Sequence, residues 1–262
     1  WIEQVLALPS AAPRSIHRAR ALVGVGSLAY WQLDEEAVGP LYEEALEIFR
    51  EVGDPGGIAE GVYNAAYVPL LAGDLDTARP MFEESRKRFD ELGDKSGVAD
   101  SLFGLSIAHR LADDLPGARA AADEGFQIAE SIGDWFGMLG LRYAIGRSAA
   151  ETGDLETATQ QFLHTLGEAQ QMGDRTGMAL SLDNLVFLEN AKGQAERAMR
   201  LAGFSQALKD QVGGEAPPEL LLLMDPWETA GQVLSQEEMQ AAWEAGRAMS
   251  PDEALAYARG ES

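Results

Sequence analysis

Gly53-Asp54, Gly93-Asp94, Gly133-Asp134 and Gly173-Asp174 recur at a spacing of forty residues, and Gly213 keeps the interval one period later. A second series, Gly57, Gly97, Gly137 and Gly177, runs in phase with the first. With 28 glycines in 262 residues, two phased series do not arise by chance. A fixed period between 20 and 50 residues is the mark of a stacked-repeat protein. Each repeat contacts mainly its neighbours, and the stack offers an extended surface rather than a single deep cleft. The period therefore points toward binding before any residue is examined for chemistry.

One unit, residues 53–92, shows how the pattern works. Asp54 suits an N-cap and Pro55 the first helical position. Apolar residues follow at helical spacing through Ile58, Val62, Ala65, Ala66 and Leu70. Gly73-Asp74 breaks the chain, and a second amphipathic stretch runs through Leu75, Ala78, Phe82, Ser85, Phe89 and Leu92. Glycine just past a helix end supplies the positive φ needed there. The units 13–52, 93–132, 133–172 and 173–212 follow the same plan. Leu33-Asp34 replaces the inner Gly-Asp of the first, and Asp113-Asp114 that of the third. The expectation is an all-α chain of five helix pairs. Pro69 lies inside a first helix, where a kink is expected, and Pro40 and Pro80 share one position in second helices.

The spacing inside the unit distinguishes repeat types. Small or slim residues stand seven before the inner turn at Gly26, Ala66, Ser106, Gly146 and Val186, and five after it at Val38, Ala78, Ala118, Ala158 and Ala198. Four residues on, Tyr42, Phe82 and Phe162 hold an aromatic position that Ala122 and Ala202 leave. In this pattern residues 13–212 resemble tetratricopeptide (TPR) repeats lengthened by six residues. The resemblance implies a right-handed α-solenoid. Residues 1–12 read as the end of a preceding helix or a linker, and 213–262 as a helical C-terminal cap. In that tail, 215–219 read as a linker, Leu220 to Met224 as the start of a helix running to about Val233, and Ser235 and Ser250 as capping boxes. Trp227, Trp243 and Tyr257 are expected to cover the last repeat, with a partner-docking patch as the alternative.

Composition narrows the function. A net charge of −23 repels phosphate backbones, so direct nucleic-acid binding is not expected. Apolar runs reach about five residues, far short of the ~20 that span a bilayer. There is no cysteine and no G-x-x-x-x-G-K-[ST] phosphate loop. His17, His109 and His164 fall at unrelated repeat positions, so no metal set is expected. No nucleophile, base and oxyanion arrangement stands out, and the chain reads as a non-enzyme without cofactors. Cytoplasm is the expected compartment. The chain opens at Trp1 rather than methionine, which reads as an excised fragment or processed product.

The opening Trp1-Ile-Glu-Gln, the Gly-Asp-x-x-Gly-x-Ala units, the run Glu196 to Gly203 and the ending Ala241 to Ala258 together resemble the C-terminal region of large bacterial, often actinobacterial, regulators. In that family a STAND-type signalling ATPase precedes a TPR array, and the effector is a LuxR-type DNA-binding domain, a nucleotide cyclase or a kinase. The resemblance implies a sensor or regulatory module for a protein, peptide or small inducer, with ATPase and effector domains in cis. The alternative is a general interaction scaffold or self-association module.

In TPR arrays the first helices line the concave face. The groove positions carry over to Val23, Tyr63, Phe103, Tyr143 and Asp183, then Gly24, Asn64, Gly104, Ala144 and Asn184. The next rows hold Ser27, Tyr67, Ile107, Arg147 and Phe187, then Tyr30, Leu70, Arg110, Ala150 and Asn190. The candidates for ligand contact are Tyr30, Tyr63, Asn64, Tyr67, Phe103, Arg110, Tyr143, Arg147, Asp183, Asn184 and Phe187. Aromatics and arginine dominate binding hot spots. Arg110 and Arg147 suit a carboxylate or phosphate, and Asn64 and Asn184 suit a peptide backbone. The competing expectation is that these side chains fill the interior, with the arginines paired to Asp100, Asp183 or Glu151.

Overall fold

The glycine turns of the forty-residue pattern end one helix, and most of the aspartates that follow cap the next. Gly53, Gly93, Gly133 and Gly173 at the outer turns, and Gly73, Gly153 and Gly193 at the inner ones, take the left-handed conformation with φ of 68–82°. Where an aspartate follows the glycine, as it does at each of these turns but Gly193-Gln194, it can accept from the amide three residues on, as Asp94 does from Gly97 at 3.1 Å and Asp174 from Gly177 at 3.0 Å. Asp54 makes no such bond, and Pro55 opens its helix instead. Asp113 fills the glycine position with φ of 60°, the one left-handed non-glycine residue among the described residues.

The structure is a computed structural model, and it describes residues 13–32, 34–212 and 225–261. Expectations for 1–12, Leu33, Gly213, the 215–219 linker and the 220–224 run lie outside the described residues. The described elements are helical: α1 (Ile16–Trp31), α2 (Glu35–Val52), α3 (Pro55–Ala65), α4 (Tyr67–Leu71), α5 (Leu75–Glu91), α6 (Lys95–Leu111) and α7 (Leu115–Ile132). There follow α8 (Trp135–Glu151), α9 (Leu155–Met172), α10 (Arg175–Ala191), α11 (Ala195–Val212), α12 (Pro226–Ala230), α13 (Gln236–Arg247) and α14 (Pro251–Arg259). The chain forms two compact units, Trp1–Ala144 and Ile145–Ser262, divided within α8. Inside each unit consecutive helices pack in series, as in a helical solenoid. No helix among the described residues is long and apolar enough to cross a membrane.

Pro69 does more than kink its helix. It has no amide hydrogen to give the Ala65 carbonyl, and the helix is interrupted at Ala66 before resuming as α4. In the described tail, Asp225 caps a helix that starts at Pro226, accepting from Trp227 and Glu228, and α12 ends at Ala230, short of Val233.

Packing within a unit places bulk against small residues. A Cβ on Gly26 would stand 2.5 Å from the Tyr42 ring, and one on Gly104 would stand 2.3 Å from Phe82. In the second unit Gly146 meets Phe162 at 3.0 Å. The in-phase glycine series has a similar role, since a Cβ on Gly57 or Gly97 would lie 2.2 or 2.3 Å from Phe49 or Phe89. Buried hydroxyls join helices where the chain has no bulk. Ser85 and Ser101 lie 3.1 Å apart between α5 and α6, and Thr165 and Ser181 lie 2.9 Å apart between α9 and α10. Eighty residues separate these pairs. The intermediate position holds Gly125 against Leu141, a volume exchange rather than a hydrogen bond.

The end of the second unit is the tightest contact. α13 lies on α11 so closely that a Cβ on Gly203 would be 2.2 Å from the Trp243 carbonyl oxygen. One on Gly246 would be 1.9 Å from the Arg200 carbonyl oxygen. The Trp227 and Trp243 rings meet at a tilt of 48° with centroids 5.2 Å apart in a cluster with Met199, and the Arg197 and Arg200 guanidinium groups lie over the Tyr257 ring.

Two stability predictions follow from backbone geometry. Replacing Asp113 with glycine removes a left-handed Cβ and should raise unfolding stability by about 0.5–1 kcal/mol in a denaturant titration. A loss would show that the Asp113 side chain holds the turn. Gly246→Ala must push α13 off α11 and should cost about 1–3 kcal/mol. An unchanged melting midpoint would contradict the reciprocal glycine contact.

Candidate functional site

The candidate residues fall on the first helix of each pair, and the structure sorts them into three environments. Tyr30, Tyr63 and Tyr67 come together in the first unit. The Tyr30 and Tyr67 rings lie edge to face at 5.4 Å, as do Tyr63 and Tyr67. Both Tyr63 and Tyr67 also abut Phe82 of α5, at 5.9 and 5.2 Å. The Tyr63 and Tyr67 hydroxyls share a 2.9 Å hydrogen bond. Burial, then the neighbouring Tyr67 and Asp100, hold the Tyr63 phenol well above its ordinary range. Phe103 is half-buried and packs beside Leu141. Tyr143 is buried, and Arg110 is half-buried in the last turn of α6.

The asparagines use their amides within their own helices. Asn64 Nδ2 donates to the Glu60 carbonyl at 2.9 Å, and Asn184 Nδ2 donates to the Leu180 carbonyl at 2.8 Å. The helix one turn back thus takes one of the two N–H donors that each asparagine offers to a peptide backbone. Asp183 turns to α11, where it pairs with Lys209 at 2.7 Å and accepts from Ser205 at 2.6 Å. Phe187 is half-buried on α10. Arg147 is buried and pairs with Glu151 at 3.1 Å, one of the partners the sequence offers it.

Sequence reasoning did not single out Glu60 and Asp100 as site residues. They stand forty apart on α3 and α6, one turn before Tyr63 and Phe103. Burial is the main cause that raises both carboxyls. Asp134 and Asp94 then crowd Asp100, bringing it from 3.8 to about 6. Ser96 Oγ donates to Asp134 at 2.8 Å, which leaves Asp100 without that donor. Half-buried and crowded on a first helix, Asp100 is a candidate functional position. The signal in the sequence is the row Arg20, Glu60 and Asp100, charged residues at equivalent positions on a face otherwise rich in aromatics. Trp135 and Phe136 were also passed over. They open α8 with their rings 5.7 Å apart, and they are 56% and 71% exposed.

The histidines are engaged separately. His109 Nδ1 lies 2.8 Å from Asp114, and His164 lies 3.1 Å from Glu168. No group of three or more metal-binding side chains forms among the described residues.

No family model matches the chain, and no curated protein matches it. Among solved structures it is similar to BtubC (BKLC) from P. vanneervenii, with a TM-score of 0.60 and 18% identity. That match covers 86% of this chain and 94% of BtubC. At such identity the likeness shows the fold alone.

The Asp100 environment gives a pH prediction. Above pH 6 the folded protein carries a crowded charge, whereas the unfolded chain carries a solvated one, so ionisation favours unfolding. Below pH 4 both forms are protonated and the penalty disappears. Asp100→Asn should therefore stabilise the protein by about 1–3 kcal/mol at pH 7.5, with the gain fading toward pH 4. A pH-independent difference in denaturant midpoints would contradict this origin.

Proposed function

We propose that this chain is a TPR-like, non-catalytic sensor or regulatory module of a larger bacterial signalling or transcription regulator. It binds a protein, a peptide or a small inducer on the first-helix face, in the cytoplasm, and acts on ATPase and effector domains in cis. One observation carries the reading. The glycines and aspartates that repeat every forty are engaged in turns, caps and close packing, whereas the first helices gather charged and aromatic residues whose identity changes along the array. The row Arg20, Glu60, Asp100 changes charge, and the exposed Trp135–Phe136 pair stands where neighbouring units have Lys95-Ser96 and Arg175-Thr176, as a surface specific for one partner requires. A ligand can shift such a module only through different affinities for its two states.

The reading is tested with the exposed pair, whose removal leaves the core intact. Trp135→Ser with Phe136→Ser should weaken partner binding by tenfold or more, measured by calorimetry, with the melting midpoint held. Unchanged affinity for every bound partner would remove this face from the account.

A second reading, a scaffold or self-association module, is favoured by another row. Val52, Leu92, Ile132, Met172 and Val212 end successive second helices at forty-residue intervals and are each 41–47% exposed. A repeating apolar edge suits contact with a regular partner, including another copy. Concentration-dependent association in sedimentation velocity, abolished by Leu92→Glu, would favour the scaffold. A monomer at high concentration would favour the sensor.

A further inference from the structure

An aromatic pair in the first unit stands open to solvent, and the groups beside it are acidic. Trp135 and Phe136 are 56% and 71% exposed in the first turn of α8, and Ile132, 42% exposed, ends α7 just before them. α6 lies alongside. Ser96 Oγ donates to Asp134 at 2.8 Å, and a Cβ on Gly140 would stand 3.6 Å from the Phe103 ring. Phe136 precedes Gly140 by one turn, so it stands on the side of α8 that meets Phe103. Ser96, Asp100 and Phe103 form one stripe of α6, at i, i+4 and i+7. Along that stripe Asp100 falls between the two contacts with α8. All of these residues belong to the first unit.

The charges here are one-sided. After burial, Asp134 and Asp94 are what raise Asp100, and no cation among the described residues offsets them. Residues 94–100 and 130–136 carry Asp94, Asp100, Glu130 and Asp134 against Lys95. The face of an aromatic ring is negative, tryptophan's most of all for a cation, and neighbouring carboxylates add to that potential. A small cation would leave most of the two rings in water, since each is more than half exposed. The occupant needs apolar side chains as well as a charge. A second copy of the chain brings a net charge of −23 of its own and is repelled, as is an anionic lipid surface. We propose that the first halves of α6 and α8 form a docking surface for a basic segment of a partner protein, in which arginine or lysine is flanked by apolar residues. Its cation sits between Trp135 and the Asp100 and Asp134 carboxylates, and its apolar neighbours cover Phe136 and Ile132. The inference rests on the reading of the first helices as binding elements and names the kind of partner they take.

The test uses the whole 262-residue chain and capped synthetic peptides built from three copies of Leu-Arg-Lys-Leu, of the neutral Leu-Gln-Gln-Leu, or of the apolar-free Ser-Arg-Lys-Ser. Binding is followed by NMR in about 0.15 M salt, where long-range attraction is screened, through the Trp135 indole N–H and the Gly140 amide. The Leu-Arg-Lys-Leu peptide should shift both signals and bind about tenfold more tightly than either control. Trp135→Ser with Phe136→Ser should weaken it about tenfold, and Asp100→Asn about fivefold. Asp100→Asn removes a crowded charge without loss of folding, so its weaker binding reports the carboxylate rather than the fold. Equal binding of the neutral peptide, unmoved Trp135 and Gly140 signals at millimolar basic peptide, or unchanged affinity in Asp100→Asn would overturn the proposal. So would arginine amide binding as tightly as the peptide, which identifies a free cation, or self-association abolished by Trp135→Ser with Phe136→Ser, which identifies a second copy. A partner that is lost on removing the aromatic pair but binds Asp100→Asn as it binds wild type would overturn the basic partner and leave the sensor reading in place.

Discussion

The structure depends on the left-handed turn. A helix that ends in a residue with positive φ reverses within two or three residues, and the aspartate that follows satisfies an amide of the next helix. Because a left-handed glycine followed by aspartate stands at each outer turn, with Pro55 opening the helix where Asp54 makes no cap bond, successive helices leave at a constant interval along the chain. Constant intervals let the same side of each helix meet its neighbours, and that allows glycines to lie under Phe49, Phe89 and Tyr42. If the turns were of mixed length, these close approaches would fall out of register and the aromatic rings would meet side chains instead of bare backbone.

This division of labour shapes what remains for function. Residues fixed by turns and packing have little freedom to vary, so specificity must lie elsewhere. The first helices supply it. In the first unit they carry tyrosines that satisfy each other and carboxyls raised by burial; in the second they carry a guanidinium and an amide with unmet atoms. Such groups are costly to keep in a protein whose hydroxyl pairs show that buried polarity can be satisfied internally. Their presence on the first helices of each unit is the physical basis for reading those helices as the binding elements.

Much of the fold was legible in the sequence because it rests on local rules. Gly-Asp pairs gave the turns, Asp113 was recognised as a glycine substitute, and Ser235 and Ser250 form the capping boxes they imply. The site was less legible because its state depends on neighbours distant in sequence. Nothing near Asp183 in the chain announces Lys209, and the intrahelical bonds of Asn64 and Asn184 reflect burial that periodicity does not measure. Asp100 gains its importance from Asp134, which reads in sequence only as a cap.

The central claim is that binding specificity lies on the first-helix face and stability on the turns and second helices. The most direct measurement scans substitutions through residues 13–212 and reads partner binding and folded abundance in parallel. The account predicts that changes losing binding without losing abundance cluster at first-helix positions such as Glu60, Tyr63, Asp100, Trp135, Phe136, Arg147 and Asn190. Clustering of such changes on the Gly-Asp turns or the second helices would contradict it.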